Sequence, residues 1–338
     1  MTGIYDDRVK TRQTRRLAVI LLGCVLLLII LVLAVMAGAV TIPVRDVWLA
    51  LTAPGTTEDY RIIYTLRMPR VICAALAGAN LALSGCILQG ILRNPLADPG
   101  IIGISAGAGL AAMALMMLAP SLTALVPLAA FAGALGAAAV VFLLAWERGV
   151  NPLRLVLAGV AVAAFFGGGM TALSVFFSDK VQGTVSWLAG GFAGASWQSV
   201  RMIVPYSVIG IIGTLCLYRR LNALQLGDDV ARTLGVRVDR TRTMLIALAA
   251  LLAASAVSVA GLLGFVGLIV PHVMRLVVGS DFEPLLPCSA LFGAILVAGA
   301  DIAARTLFSP MEVPVGIFMS FIGAPFFLYL LKRRMRAS

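Results

Sequence analysis

Charged residues are scarce in this sequence, and their scarcity decides the class of protein. Only 12% of the 338 residues are Asp, Glu, Lys or Arg, whereas 61% are hydrophobic. Soluble domains carry about twice that share of charge, so a water-soluble globular fold is excluded. The apolar residues stand in continuous runs of helix length, without the alternation that a membrane barrel requires. The sequence therefore predicts an all-α, polytopic membrane protein.

Residues that build catalytic and metal sites are also scarce. The chain has one histidine, His272, and its five cysteines lie singly inside apolar runs. These counts exclude a multi-histidine metal or haem site and give no sign of a disulfide. The spans contain no paired carboxylates and no nucleophile–base pair, which argues against a membrane-embedded enzyme. We therefore expect no catalytic residue, no metal site and no cofactor bound by this chain.

What the sequence does contain is a series of ten apolar segments. A polar tail at residues 1–16 precedes the first of them, and residues 219–242 form the longest polar stretch of the second half. The 34 glycines favour close helix packing, since small residues let helix backbones approach each other in lipid. We expect one transmembrane domain over residues 1–338. Its spans are predicted at about 17–39, 69–91, 101–118, 122–145, 153–177, 200–217, 243–262, 264–278, 285–304 and 315–331.

The positive charge of the chain indicates its orientation. With the amino terminus inside, 19 of the 26 Lys and Arg residues fall on the inner side of the ten spans. This asymmetry predicts that both termini lie in the cytoplasm. The net charge of +11 sits at span ends and forms no basic face with interleaved aromatics, so no nucleic-acid partner is expected.

The stretch from Arg67 to Gly109 contains the most specific motifs. It reads RMPR, then LALSG-x-x-LQG, then the elbow RNPLADPG, and finally GISAGAG. Asn-Pro and Asp-Pro break helices, so the elbow separates two spans. Further motifs follow in LNALQLGDDVARTLGVRV (221–238), GLLGFVGLIVPHVMRL (261–276) and EVPVGIFMSFIGAPFFLYLL (312–331). Together these motifs resemble those of the iron-siderophore and vitamin B12 permease family of ABC importers.

The resemblance implies a fold and a set of partners. Members of that family have ten helices per subunit, as in the vitamin B12 permease, a type II importer. They work with a second permease subunit, two cytoplasmic ABC ATPase subunits and an extracytoplasmic solute-binding protein. This chain has no Walker A pattern, so ATP and Mg²⁺ would be used by the partner ATPase.

The resemblance also implies an ATPase-coupling segment on the inner side. The acidic residues after Gly227 are typical of a helix start, and Gly235 is typical of a helix end. A short rigid helix transmits displacement, whereas a flexible loop would absorb it. The coupling residues are predicted to be Gly227, Asp228, Asp229, Val230, Ala231, Arg232, Leu234 and Gly235.

Three arginines at outer helix ends, Arg67, Arg70 and Arg305, match family positions that pair with glutamates of the binding protein. Arginine offers a planar fork for a carboxylate, which suits that role. The alternative is ordinary anchoring of an arginine at a helix end. Asp301 stands four residues before Arg305, a spacing that permits a helical ion pair.

The family resemblance places a cytoplasmic gate at the inner mouth of a pathway between two subunits. Its predicted residues are Asn94, Leu96, Pro152 and Leu153. Non-helical backbone at that depth is tolerated only where it is buried in protein or lines a cavity.

These observations predict a permease that imports a ferric siderophore by alternating access across a bacterial inner membrane. Vitamin B12 or haem is the alternative cargo within the same family. An ion-coupled secondary transporter is the alternative of another class, and it would need a carboxylate inside the membrane. Only Asp301 approaches the interior of a span, so this alternative is disfavoured.

Overall fold

The computed structural model describes residues 2–38, 40–53, 55, 59–147 and 151–335. Fourteen α-helices occur in these ranges. In chain order they are α1 (Thr2–Met36), α2 (Val44–Thr52), α3 (Met68–Leu92), α4 (Ile104–Leu118), α5 (Val126–Ala145), α6 (Pro152–Phe176), α7 (Val181–Leu188), α8 (Trp197–Cys216), α9 (Tyr218–Gln225), α10 (Asp228–Thr233), α11 (Val238–Ala260), α12 (Val266–Val278), α13 (Phe282–Thr306) and α14 (Val315–Met335).

The predicted all-α membrane fold is confirmed. Seven helical stretches are long and apolar enough to cross a membrane, and three shorter apolar helices accompany them. The ten correspond one for one to the predicted spans. Two of the polar segments differ from expectation. The tail predicted for residues 1–16 is helical from Thr2 and continuous with the first span, and the 219–242 stretch contains α9 as well as the short helix α10.

Helix α3 lies at the centre of the bundle. Nearly every side chain from Cys73 to Ile91 is buried, and α3 packs against α8, α11, α12 and α13. Glycines permit this packing, because a Cβ on Gly78 would lie 2.2 Å from the carbonyl oxygen of Gly293, and one on Gly85 would lie 2.0 Å from that of Gly267. Close backbone approach at such positions supplies the van der Waals contact that drives helix association in lipid.

Two ends of the bundle carry the predicted functional residues. We call the end that bears α10 the inner face and the opposite end the outer face. The elbow between α3 and α4 lies at the inner face, whereas the amino-terminal end of α3 and the connection between α13 and α14 lie at the outer face.

The described residues at the periphery are mostly apolar and exposed. Helix α6 exposes large side chains along its length, including Phe165 and Phe176, and α1 does the same from Leu17 to Leu33. Such faces are expected on helices that contact lipid or another membrane subunit.

Candidate functional site

The elbow after α3 is a fixed turn. Arg93 adopts a left-handed conformation (φ 49°) and ends the helix. The side-chain oxygen of Asn94 then accepts a hydrogen bond from the backbone N–H of Leu96 at 3.1 Å, and that of Asp98 accepts one from Gly100 at 2.9 Å. Asn and Asp favour such turns because their short side chains bond to backbone two residues ahead. The elbow is therefore shaped by its own polar side chains.

A buried glutamine ties the elbow to the bundle. The amide nitrogen of Gln89 donates to the carbonyl oxygen of Ala97 at 3.3 Å and to that of Gly267 at 3.0 Å. Its amide oxygen accepts from the guanidinium of Arg275 at 3.0 Å. One side chain thus connects the elbow with α3 and α12, so displacement of the elbow must involve both helices.

Asp98 is the acidic residue of the elbow. Burial raises the pKa of its carboxyl from 3.8 to about 6, and the hydrogen bond from Gly100 opposes the shift. The cause is desolvation, which disfavours the charged form.

The predicted helix after Gly227 is present as α10. Gly227 and Gly235 flank it with φ values of +113° and +81°, a region that favours glycine. Asp228 and Asp229 stand in the first turn, where they are favourable to the helix dipole. Ala231 lies on the side of α10 that faces the protein and is fully buried.

Asp228 joins α10 to two other elements. One of its carboxylate oxygens accepts from Arg93 of the elbow at 2.5 Å and from Arg242 of α11 at 2.7 Å. Burial raises the pKa of this carboxyl, but the hydrogen bond and charge of Arg242, together with Arg93 and Arg232, give a net pKa below the ordinary value. Asp228 is therefore ionised at neutral pH and links the elbow, α10 and α11.

Two of the predicted coupling residues, Val230 and Leu234, form an exposed apolar strip with Leu226, a residue that was not predicted. Leu226, Val230 and Leu234 are exposed by 63, 45 and 61%, respectively. Val230 and Leu234 are four residues apart, a spacing that places side chains on one helix face and could have found this pair. Leu226 lies before α10, on the other side of Gly227. An exposed apolar strip rimmed by charges is typical of a protein-binding surface.

A cavity of about 490 Å³ connects the coupling helix with a predicted gate residue. Its walls include Arg93, Asp228, Val230 and Arg242, together with Pro152 of α6. The structure therefore brings Pro152 near the predicted coupling segment, whereas Leu153 is 67% exposed. Asn94 is exposed and Leu96 half-buried, and neither lines this cavity.

The backbone at the second predicted gate differs from expectation. Pro152 and Leu153 form the first turn of α6, so the helix begins one residue before the predicted span 153–177 and only Pro152 departs from the irregular backbone that was expected. The side-chain oxygen of Asn151 caps the helix, accepting from Leu153 at 2.9 Å and Arg154 at 3.4 Å. Asn followed by Pro is a common helix start, a signal present in the sequence. Gating by these four residues stays a prediction.

Asp301 is the centre of a charged cluster at the outer face. It is 1% exposed and pairs with Arg70 at 2.9 Å and with Arg305 at 3.1 Å, the latter with the predicted four-residue spacing. Arg70 reaches outward to Glu312 at 2.8 Å. The three predicted docking arginines do lie together at the outer face, and Glu312 is a member of this cluster that sequence reasoning missed.

Arg67 and Arg305 have a structural role that sequence reasoning did not give them. Arg67 donates to the carbonyl oxygens of Val35 and Met36 at 2.7 Å, and also to that of Val40. The guanidinium of Arg305 donates to two further carbonyls of the same region, those of Ala34 at 2.9 Å and Ala37 at 3.1 Å.

This capping gives Arg67 and Arg305 a structural role at the end of α1 beside the predicted docking role. The last carbonyls of a helix have no partner within the helix, and here two arginines supply the donors at the end of α1. Both side chains are buried, with exposures of 7 and 4%. Docking by these two residues stays a prediction, and Arg70 directs one edge of its guanidinium outward to Glu312.

Comparison with known proteins gives a consistent result. The sequence profile of the FecCD transport family matches residues 26–333. The Fe(3+)-citrate import system permease protein YfmE of Bacillus subtilis is 40% identical over 326 residues, covering 96% of this chain and 98% of that protein. The cobalamin import system permease protein BtuC of Halobacterium salinarum is 45% identical over 296 residues, covering 85% of this chain and 80% of that protein.

A solved structure agrees with the fold. An inward-facing conformation of a metal-chelate type ABC transporter superposes with a TM-score of 0.84 at 32% identity, covering 94% of this chain and 99% of that chain. The family profile spans residues 26–333, a range that contains the elbow, α10 and the outer arginines, and the Fe(3+)-citrate relative covers 96% of the chain. On these grounds, this chain is a member of the FecCD transport family.

Proposed function

We propose that this chain is the transmembrane permease subunit of an ABC importer that takes up a ferric siderophore. The observation that carries the proposal is the similarity over 96% of the chain to an Fe(3+)-citrate import permease. Iron(3+)-hydroxamate permease FhuB of Bacillus subtilis is 41% identical over 94% of this chain, which supports an iron chelate as cargo.

The inner face is the proposed contact with the ATPase subunits. Leu226, Val230 and Leu234 offer an apolar strip that a partner would bury. Asp228 ties that strip to the elbow and to α11, so a displacement of α10 is passed to α3 and α11 without a flexible intermediate. ATP and Mg²⁺ are used by the partner ATPase, and this chain contributes no catalytic group.

The cycle we propose is alternating access. A binding protein delivers the chelate at the outer face, closure of the ATPase pair moves α10, and the pathway between two permease subunits rearranges. The exposed apolar face of α6 is compatible with a second permease subunit, either another copy or a sister chain. The proposed location is the bacterial inner membrane, with both termini in the cytoplasm.

Vitamin B12 and haem are the second candidates for the cargo. The cobalamin relative is 45% identical, and the hemin transport permease HmuU of Yersinia pestis is 38% identical over 93% of this chain. Uptake assays with ferric siderophore, cobalamin and haem, each on its own binding protein, distinguish the three.

Ion coupling has little support from the outer cluster. Asp301, the carboxylate closest to a span interior, is occupied by two arginines, so no free intramembrane carboxylate is offered at this position. If Asp301→Asn abolished uptake but left assembly and ATPase stimulation intact, ion coupling would have to be reconsidered.

The deciding experiment is ATP hydrolysis and uptake in liposomes that contain this chain with its cognate ATPase. Binding protein loaded with a candidate ferric siderophore is expected to stimulate both. Replacement of Asp228–Arg232 by a Gly-Ser linker is expected to abolish both while the complex still assembles. Uptake that needs no ATPase and follows a proton or sodium gradient would refute the proposal.

A further inference from the structure

Arg70 uses the two edges of its guanidinium for two different carboxylates. The edge formed by Nε and one terminal nitrogen faces Asp301, with N···O distances of 2.9 to 3.1 Å. The other terminal nitrogen donates to Glu312 at 2.8 Å. Because arginine presents its donors in a fixed planar fork, a third carboxylate can reach Arg70 only on the Glu312 edge.

The two carboxylates differ in how firmly they are fixed. Asp301 is 1% exposed and is also bound by Arg305, so it is a permanent partner of Arg70. Glu312 is 45% exposed and belongs to the connection between α13 and α14. Exposed ion pairs contribute little free energy, whereas removing one partner of a buried pair is costly. Glu312 is therefore the exchangeable partner.

The Arg70–Glu312 pair also lies where two outer cavities meet. A cavity of about 420 Å³ extends beside α4, α5 and α7, and a second of about 330 Å³ extends beside the end of α1. Arg70, Ala193 and Glu312 line both cavities. The ion pair is thus part of the wall that the two cavities share.

We propose that Glu312 is a displaceable carboxylate, and that an acidic side chain of the extracytoplasmic binding protein replaces it on the same edge of the Arg70 guanidinium. Displacement of Glu312 then joins the two outer cavities. The proposal rests on the proposed function, which supplies the binding protein. In the permease without its binding protein, Glu312 holds the position on Arg70 that a carboxylate of the binding protein takes after docking.

The exchange replaces one carboxylate by another of the same charge and geometry. Arg70 remains paired before and after docking, so no buried cation is left without a partner at any stage. Docking then releases Glu312 and with it the connection that follows α13. Opening of the outer passage is in this way linked to arrival of the loaded binding protein.

The first test is the affinity of the binding protein for the complete transporter in nanodiscs. Glu312→Gln removes the competing charge, so we expect the Kd to fall by about two- to fivefold, the change in an equilibrium constant that an exposed ion pair produces. The matched control is Glu283→Gln, an exposed glutamate in the first turn of α13 at the inner face, which is expected to leave the Kd unchanged.

The second test needs no binding protein. Ser258 is 1% exposed and lines the larger outer cavity, so Ser258→Cys, with the exposed Cys24 and Cys216 replaced by serine, gives a reporter thiol. A membrane-impermeant thiol reagent added from outside is expected to label it faster when Glu312→Gln is also present. Glu283→Gln is again the control.

The outcomes separate this inference from the proposed function. Unchanged or weaker binding by Glu312→Gln overturns the exchange, and unchanged labelling overturns the joining of the cavities. If wild-type transporter binds no candidate binding protein, the proposed function fails, and the labelling rates alone still decide whether Glu312 closes the passage.

Discussion

At the scale of single residues, the outer arginines show how one residue type serves two purposes. Arg70 pairs with carboxylates and Arg67 with carbonyl oxygens at the end of α1, whereas Arg305 does both. The two roles are chemically similar, since both use N–H donors of a guanidinium. Only the acceptor differs, and the acceptor is decided by packing.

Loss of the Arg67 cap is expected to destabilise the protein. Arg67→Gln leaves the carbonyls of Val35, Met36 and Val40 without their donor, at about 1–3 kcal/mol for each buried group. Because the site lies near the outer surface and water can replace part of the loss, we expect about 2–4 kcal/mol in total. Thermal unfolding of wild type and Arg67→Gln in detergent measures this loss of stability.

Arg45→Gln is the control for that prediction, since Arg45 is an exposed arginine of α2. Unchanged stability of Arg67→Gln, combined with loss of binding-protein affinity, would contradict the capping role and support the predicted docking role of Arg67.

The elbow carboxyl Asp98 gives a prediction about pH. Its folded-state pKa of about 6 lies above the ordinary 3.8, so its contribution to stability is complete below 3.8 and is lost as the pH rises through about 6. Asp98→Asn keeps an acceptor for the N–H of Gly100 but carries no charge. We expect this variant to exceed wild type in melting temperature at pH 7, and the difference to shrink towards pH 4.5. A difference that is the same at both pH values would contradict the raised pKa.

At the scale of elements, helix contacts depend on where glycines fall. Gly85→Ala would place a methyl group 2.0 Å from the carbonyl oxygen of Gly267, so α3 and α12 must separate. Overpacking of this kind costs about 1–3 kcal/mol and more when backbone is the obstacle. We expect a lower melting temperature and weaker assembly of Gly85→Ala, measured by size-exclusion chromatography of purified protein.

Gly136→Ala is the matched control for that substitution. Gly136 is a helical glycine of α5, and no described atom outside the backbone of that helix lies within 4 Å of the position that a Cβ would take. The same chemical change is expected to be neutral or slightly favourable there, because alanine has the higher helix propensity. Equal effects of the two substitutions would refute the close approach of α3 and α12.

The elements also show how far sequence reasoning reaches. Spans were predictable because apolar runs of helix length have only one stable arrangement in lipid, and the ends of α10 were predictable from Gly227 and Gly235. The pairing of Asp228 with Arg93 was not, since 135 residues separate them and only the folded bundle brings them together. The same holds for Arg67, whose acceptors lie about 30 residues earlier in the chain.

At the scale of the whole molecule, the charge asymmetry of the chain predicts its topology. Protease recognition tags at both termini are expected to be cut in inside-out vesicles and protected in intact spheroplasts. A tag inserted after Gly55, in the predicted outer connection, should show the opposite pattern. If one terminal tag were cut only in inside-out vesicles and the other only in spheroplasts, the termini would lie on opposite sides of the membrane, which contradicts ten spans.

The central position of α3 has a consequence for how the protein is made. Asn80 donates to Ser255 across 175 residues, and Gln89 donates to Gly267 across 178 residues. At about 5–20 residues per second of synthesis, these residues of α3 are made roughly 9 to 36 seconds before their partners. During that interval the polar side chains of α3 face an insertion machinery or lipid. Packing of the core around α3 can therefore be completed only after the second half of the chain has been made.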